Sequence, residues 1–449
     1  MFARLSRTAR LRQKPCAHAH PQTRHPLRWH GLLGSLLLAG MAHAQTQLTL
    51  DAAMALAQQR SQQLVAQDAA ALAAREMAVA AGERPDPVLK LALTNVPVTG
   101  AQRYSLGADF MTMRSIGVMQ ELTRADKRQA RSGRFERQAE RAVAARAQAL
   151  AELRRDTTLA WLDRHFLERR LALQLTLRTE TALQVEAADA TFRAGRGSQA
   201  DLFAARSAVA WIDDNLAETR RDIATAQTRL VRWIGPQAAE QPLAAAPEAT
   251  LPSDVSGDEL ARRVRLHPRV SLAVRAQDAA QSEVEVARSE LRADWTLELM
   301  FSQRGSGFSN MASVNLSVPL QWDQDRRQTR EIAARMALTE QLRGEREEIE
   351  REQLAQARST LQAWQHNQQR LQHVDQQLLP LADERSRAAL VTYRGGSGTL
   401  DAVLLARRAE IDTALQRLML EQENARLWAQ FSYLISRPAD ALADAGSLR

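Results

Sequence analysis

The chain has 449 residues, of which 45% are hydrophobic but only 4% are aromatic. Alanine, leucine, arginine and glutamine are abundant, and these residues favour helices, so a mostly helical protein is predicted. The formal net charge is +8, but residues 1–44 contain seven basic side chains and no acidic one. The rest of the chain is close to neutral, which argues against a nucleic-acid partner.

Residues 1–44 have the pattern of a secretory signal peptide. Basic side chains precede the apolar run GLLGSLLLAGMAHA, which ends in Ala42-His43-Ala44. Cleavage after Ala44 would remove Cys16, the only cysteine, so the exported protein is expected to have no disulfide, thiol nucleophile or cysteine zinc site. The sequence therefore predicts an exported protein.

Four short segments interrupt the helical composition, and they form two pairs: about 87–97 with 110–122, and 295–303 with 309–320. Apolar and polar residues alternate in them, as in a strand with one apolar face. The third segment shows this most clearly, since Thr296, Glu298, Met300 and Ser302 separate Trp295, Leu297, Leu299 and Phe301. Four β-strands are predicted.

Long helices are predicted where prolines are absent. No proline occurs between Pro97 and Pro236, and a helix from Leu122 to about Phe192 would be roughly 105 Å long at 1.5 Å per residue. Helices of this length cannot form one compact core. They are expected to pack side by side, as a coiled-coil rod or tube.

The second half of the chain repeats the first. TFRAGRGSQADLFAAR (191–206) and TYRGGSGTLDAVLLAR (392–407) share Thr, Arg, two Gly, Ala and Arg at matching positions. Each half is predicted to contain a helix, two strands, a long helix, a glycine turn and a returning helix. The predicted boundaries are 45–234 for the first repeat, 235–254 for a linker, 255–437 for the second repeat and 438–449 for a C-terminal tail.

The glycines at 395–398 precede a predicted helix, where free backbone N–H groups can bind a phosphate. This segment lacks the Gly-Lys-Ser/Thr ending of a phosphate-binding loop, and it follows a helix rather than a strand. A turn between two long helices explains the glycines better, because glycine permits the left-handed backbone that a reversal requires.

Four strands are too few to close a membrane barrel, and open sheet edges are not tolerated in lipid. If these strands lie in a membrane, several chains must combine them, and three chains would supply twelve. In that case the fold class is mainly α with a transmembrane β-barrel portion: a twelve-stranded barrel formed by a trimer, above a long α-helical coiled-coil barrel.

Several features together resemble the TolC family of outer-membrane efflux proteins. They are the two-fold repeat, the Tyr/Phe-x-x-Gly turns at 192 and 393, and the segments SIGVMQELTRADKRQAR (115–131) and SVNLSVPLQWDQDRRQTR (313–330). The chain looks most like the cobalt–zinc–cadmium branch. The resemblance implies a homotrimer in the outer membrane that extends into the periplasm. Its implied partners are outer-membrane lipid, a periplasmic adaptor protein and an inner-membrane, proton-driven resistance-nodulation-division pump.

The resemblance also implies site residues. The family places its glycine turns at the periplasmic tips of the helical hairpins, where the adaptor docks. These tip residues are Gly195, Arg196, Gly197, Ser198, Gly395, Gly396, Ser397, Gly398 and Thr399. Family members often carry acidic residues beyond the second tip. Asp401 matches the first of these, whereas Leu404 takes the place of the second.

A periplasmic gate is expected next to the tips. Three copies of Asp401 around an axis would repel one another and attract cations in a narrow pore. Arg206 and Arg407 could form links that hold the tips closed. Asp201 is a second acidic candidate, and the competing interpretation of both aspartates is helix capping.

The sequence shows no Ser/His/Asp set, no paired carboxylates in a context typical of a cleft and no metal-ligand spacing, so neither enzyme activity nor a bound cofactor is predicted. Met111, Met113 and Met119 cluster in one strand segment, but methionine is an ordinary apolar residue there. The predicted function is the exit duct of a tripartite efflux system that exports heavy-metal cations. The alternatives are a multidrug-efflux or type I secretion duct and, outside transport, a soluble periplasmic coiled-coil scaffold.

Overall fold

The computed structural model describes residues 47–251 and 257–435. The predicted signal peptide, the predicted tail, residues 252–254 of the predicted linker and the first two residues of the predicted second repeat lie outside these ranges. None of the described helices combines the length and hydrophobicity needed to cross a membrane. The described elements are, in chain order, α1 Leu50–Arg60, α2 Gln62–Gly82, β1 Val88–Thr94, β2 Met113–Leu122, α3 Ala125–Arg193, α4 Gln199–Ile234, α5 Pro236–Ala239, α6 Gly257–Arg265, α7 Pro268–Ser289, β3 Trp295–Gln303, β4 Met311–Ser317, α8 Gln328–His373, a π-helical turn Val374–Leu378, α9 Leu379–Arg394 and α10 Leu400–Leu434.

The four strands form one antiparallel sheet in the order β1-β2-β3-β4. The two halves of the chain therefore meet where β2 pairs with β3. Near the centre of the sheet, Val118 lies opposite Leu89 on one side and Leu299 on the other, and Leu299 lies opposite Val314. The prediction of a mostly helical chain with four strands is confirmed.

Three strands are shorter than the predicted segments. β1 stops at Thr94, because Asn95 has a positive φ of 56° and turns the chain away from the sheet. β2 begins at Met113 rather than at residue 110, and the Thr112 hydroxyl donates to the Asn95 carbonyl at 3.0 Å inside the connecting loop. β4 ends at Ser317, two residues before Pro319, which has no N–H for the strand ladder.

Most of the large apolar residues of the sheet lie on one face, where they are exposed. On the opposite face, the hydroxyls of Ser115 and Ser302 are 2.8 Å apart, and Lys90 Nζ donates to the Glu298 carboxylate at 2.6 Å. A sheet in a water-soluble protein normally exposes its polar face and buries its apolar one. This sheet therefore requires an apolar environment. The exposed residues on the apolar face are Leu89, Leu91, Leu93, Ile116, Val118, Leu122, Trp295, Leu299, Phe301, Val314 and Leu316.

The largest core of the helical part is built around α3. Trp161 is completely buried, and its indole Nε1 donates to the carbonyl of Leu48 at 3.2 Å. Small side chains at the surrounding contacts allow the helices to approach α3 closely. The buried neighbours are Ala53 and Ala57 of α1, Leu230 and Ile234 of α4, and Ala425 and Ala429 of α10.

The start of the predicted linker packs against this core. Leu243 forms a parallel β-bridge with Leu48. The buried guanidinium of Arg164 donates to the carbonyls of Ala239 at 2.6 Å and Gln241 at 3.0 Å. A buried charge needs hydrogen-bond partners of this kind, so these contacts hold the connection against α3.

The helical stretch before the second glycine turn is interrupted. A π-helical turn follows α8, and Pro380 lies in the first turn of α9. Proline has no N–H to donate to the carbonyl four residues earlier, and the wider π turn accommodates it. Arg417 of α10 donates to Asp375 at 2.5 Å and pairs with Glu421 at 2.5 Å. The interruption is therefore tied to the neighbouring helix.

The start of α7 is expected to make stability depend on pH. His267 is the N-cap residue, and its Nδ1 accepts the N–H of Arg269 at 3.2 Å. Burial lowers the pKa of His267; Arg269 and Arg155 act in the same direction, while Glu152 and a hydrogen bond to the Tyr433 backbone oppose them. Because the folded-state pKa is below the unfolded one, stability should be lost as pH falls through about 6.5.

His267→Asn keeps a capping acceptor but removes this titration. We expect the thermal unfolding midpoint of this variant to fall less between pH 7.5 and pH 5.5 than that of the parent protein. His165, whose pKa burial also lowers, is present in both proteins. The difference between them therefore isolates His267, and equal pH dependence would contradict this prediction.

Candidate functional site: two glycine turns and the groove beside them

The first glycine turn closes over the last turn of α3. The N–H groups of Arg196 and Gly197 donate to the same carbonyl, that of Thr191, at 3.0 and 3.1 Å. Gly195 has φ of 70°, in the left-handed region that favours glycine. The reversal is therefore completed in a few residues, as in other glycine-terminated helices.

The second turn has the same backbone pattern at the end of α9. The N–H groups of Ser397 and Gly398 donate to the carbonyl of Thr392 at 3.2 and 3.1 Å. Gly396, which matches Gly195, has φ of 79°. The shared pattern explains why the two sequence segments share their glycines and their threonine.

Of the three other glycines in the turns, Gly197 and Gly398 are required by close packing, and Gly395 is not. A Cβ at Gly197 would lie 3.0 Å from the backbone nitrogen of Phe192, and one at Gly398 would lie 3.0 Å from that of Tyr393. Gly395 has an ordinary φ of −75°, and the nearest atom to an added Cβ would be 3.4 Å away. A side chain is therefore acceptable at position 395 and unfavourable at 197 and 398.

The two aspartates of the site have different surroundings. The Ser198 hydroxyl accepts the N–H of Asp201 at 3.1 Å, and the Asp201 carboxylate accepts the N–H of Ser198 at 3.1 Å, which is a capping box. At the second tip, the Thr399 hydroxyl accepts the N–H of Ala402 at 3.2 Å. Asp401 is one residue closer to its N-cap than Asp201 and contributes no acceptor to this cap.

The two tips lie side by side within one chain. Tyr393 and Leu404 pack against a buried apolar cluster that joins them. Leu404 stands where the family resemblance places a second acid, and here it contributes to the contact between the hairpins. The buried members are Ala188 of α3, Leu202 and Ala205 of α4, and Leu400 of α10.

A groove of 380 Å³ opens beside the tips, between α3, α4 and α10. Asp401 lines it together with Arg407, Arg408, Asp412 and Trp211. Trp211 is 45% exposed, and the guanidinium carbon of Arg408 lies 4.5 Å from its ring centroid, within cation–π range. No sequence motif points to Trp211; the one available signal is a tryptophan in the helix after a glycine turn, in a chain with only 4% aromatic residues.

Arg407 and Arg206, which align in the repeat, differ in their contacts. Arg407 Nε donates to the Glu180 carboxylate of α3 at 2.9 Å, and its Nη1 donates to Glu410 at 2.5 Å. Burial opposes its charge, but the hydrogen bonds to these two carboxylates outweigh burial and raise the pKa of Arg407. Arg206 is exposed and has no ion pair with the residues that the structure describes. Arg407 therefore links its helix, α10, to α3. Arg206 of α4 makes no comparable link to the described residues.

Replacing Arg407 with methionine should loosen the second tip. Methionine keeps most of the aliphatic length but removes the charged hydrogen bonds, which for a partly buried pair contribute on the order of 1 kcal/mol. We expect amide hydrogen exchange in residues 400–410 to become about fivefold faster. Arg206→Met is the matched control and should leave this exchange unchanged. Equal exchange in the two variants would show that the link to Glu180 does not hold α10.

The described residues form no metal-binding site. No group of three or more histidine, aspartate or glutamate side chains is arranged to hold a metal ion in residues 47–251 and 257–435. The features of this site are instead two hydrogen-bonded backbone turns and a groove of mixed charge.

No family model and no curated protein matches this sequence. Solved structures do match over most of the chain. The outer-membrane channel OprN aligns at a TM-score of 0.72 and 16% identity, over 86% of this chain and 89% of its own. CusC, whose structures concern folding and transmembrane channel formation, aligns at 0.72 and 13%, over 87% and 93%. The outer membrane protein VceC from Vibrio cholerae aligns at 0.71 and 16%, over 86% and 95%. These likenesses show that the chain has the fold of outer-membrane channel proteins.

Proposed function

We propose that this protein is the outer-membrane exit duct of a tripartite efflux system. The observation that carries the proposal is the exposed apolar face of the sheet. It spans all four strands, while the opposite face holds the Lys90–Glu298 ion pair. Such a sheet is stable only if its outer face meets lipid and its inner face meets water or polar groups. A soluble periplasmic scaffold is disfavoured by the same observation.

The proposed membrane-embedded form is a trimer. Among the strands that the structure describes, β1 and β4 each have one neighbour, and unpaired edges are costly in lipid. Pairing β4 of one copy with β1 of the next would satisfy both edges and close twelve strands from three copies. The element order helix, strand, strand, long helix, turn and helix occurs in both halves, which supports the proposed internal repeat.

The two tips are the proposed docking surface for a periplasmic adaptor. Their glycines present backbone without side chains, so a partner helix can approach closely. The adaptor would in turn connect the duct to a proton-driven inner-membrane pump. Gating is assigned to Asp401 and Arg407, because Asp401 lines the groove and Arg407 ties α10 to α3. For Asp201 the capping box favours the structural role.

Heavy-metal cations are the proposed substrates, on the basis of the sequence resemblance to the cobalt–zinc–cadmium branch. Drug-efflux and protein-secretion ducts share the architecture, since the pump makes most of the substrate choice. The test is growth of a deletion strain on zinc, cadmium, cobalt, copper and silver salts beside common drugs. Sensitivity to metals alone supports the proposal, and sensitivity to drugs alone moves the chain to the drug-efflux alternative.

Membrane fractionation tests the duct itself. The protein should sediment with the outer membrane, and chemical crosslinking should give trimers. Recovery as a soluble periplasmic monomer would overturn the proposal.

A further inference from the structure

We infer that the helix-side end of the sheet binds the phosphate group of an anionic phospholipid. This inference rests on the proposed function, since it concerns a sheet that lies in a membrane. At this end, α2, α3, α7 and α8 join the strands. A cavity of 620 Å³ lies there, and its lining includes Arg124 and Arg292.

The two arginines give the cavity a positive lining, and none of the residues that line it is acidic. Its other lining residues are Leu122, Ala293, Trp295, Val318, Pro319, Leu320, Gln321 and Gln324. Arg124 uses one Nη atom for an ion pair with Asp126, but its Nη1 is buried and has no hydrogen-bond partner. Arg292 is exposed and makes no ion pair with the described residues. A phosphate oxygen would supply the acceptor that these guanidinium groups lack.

The rest of the lining fits a lipid better than a free anion. Leu320 and Trp295 are exposed and continue the apolar face of the sheet. Trp322, next to the cavity-lining Gln321, is 87% exposed, and tryptophan is enriched where membrane proteins meet the lipid–water boundary. A phospholipid could therefore place its acyl chains along the sheet and its phosphate at the arginines.

The cavity wall is held in place by side-chain hydrogen bonds. Gln321 donates to the carbonyl of Glu290 at 2.9 Å, and Gln324 donates to that of Leu291 at 3.1 Å. These bonds fix the segment after β4 against the connection between α7 and β3. The site is consequently formed before any lipid arrives.

The test is native mass spectrometry of the full-length protein in detergent, titrated with phosphatidylglycerol or phosphatidylcholine. We expect phosphatidylglycerol to bind more tightly, and Arg292→Gln to weaken its binding about fivefold, the usual contribution of one basic residue near a membrane surface. Arg124→Gln should act in the same direction. The matched control is Arg358→Gln, an exposed arginine about 45 Å along α8 from its start, which should change nothing.

Other outcomes identify the alternatives. Equal binding of the two lipids, or full phosphatidylglycerol binding by both cavity variants, would overturn the inference. Displacement of the lipid by equimolar glycerol phosphate would show a site for free phosphate instead. Lipid binding to monomers but not to trimers would show that a second copy covers the cavity. Flotation with vesicles separates this inference from the proposed function: a protein that floats with neither vesicle type contradicts the duct, whereas flotation without lipid preference contradicts only the lipid site.

Discussion

Leu299→Arg should reduce the amount of protein in the outer membrane by about tenfold or more. Leu299 is the middle residue of β3, is 53% exposed and lies opposite Val118 and Val314. An arginine at the middle of the lipid-facing surface of a barrel costs about 2–4 kcal/mol. A trimer would carry this cost three times. The measurement is quantitative immunoblotting of outer-membrane fractions, with trimers detected after crosslinking.

Ser313→Arg is the matched control for this substitution. Ser313 precedes Val314 in β4, so it lies at nearly the same depth, but its side chain is on the polar face. The variant should reach the membrane in normal amounts, because a charge on that face meets water rather than lipid. Normal assembly of Leu299→Arg would show that the exposed apolar face does not contact lipid, and the proposed duct would then lose its main support.

Gly398→Val should abolish efflux while leaving the trimer intact. Its Cβ would lie 3.0 Å from the Tyr393 backbone nitrogen and 3.2 Å from the carbonyl carbon of Thr392. The turn would have to open, and the surface proposed for the adaptor would change. Assembly should be preserved, because helices such as α3, with 69 residues, extend roughly 100 Å from the sheet to the tips. The measurements are site-specific crosslinking to the adaptor, trimer yield and resistance of cells to the substrate.

Gly395→Ala distinguishes the loss of this turn from a general effect of removing a glycine. Its backbone is in the right-handed helical region, and an added methyl group makes only ordinary contacts. The equivalent residue of the first turn is already an alanine, Ala194. Efflux and adaptor crosslinking should therefore stay at parental levels. If Gly398→Val crosslinked as well as Gly395→Ala, the adaptor would have to dock elsewhere.

The local parts of the fold could be predicted, whereas the roles of the site residues could not. Alternation such as that from Trp295 to Phe301 predicts a strand because neighbouring side chains point to opposite faces. Alternation gives no pairing partner, so the β2–β3 contact between the two halves appears only in the structure. The aligned Arg206 and Arg407 look equivalent in the sequence. They differ because Glu180 of α3 is within reach of Arg407.

The sequence by itself determined the helical character, the four strand segments and the positions of the glycine turns. These properties depend on residues close together in the chain. The signals are the absence of proline over long stretches, the alternation of apolar and polar side chains, and the repeated glycines. Only the tertiary structure decided which face of the sheet is exposed, that Asp201 closes a capping box while Asp401 lines a groove, and that Arg164 holds the connection after α5. Exposure and hydrogen bonding depend on atoms that folding brings together from distant parts of the chain. A local sequence pattern does not show which atoms will come into contact.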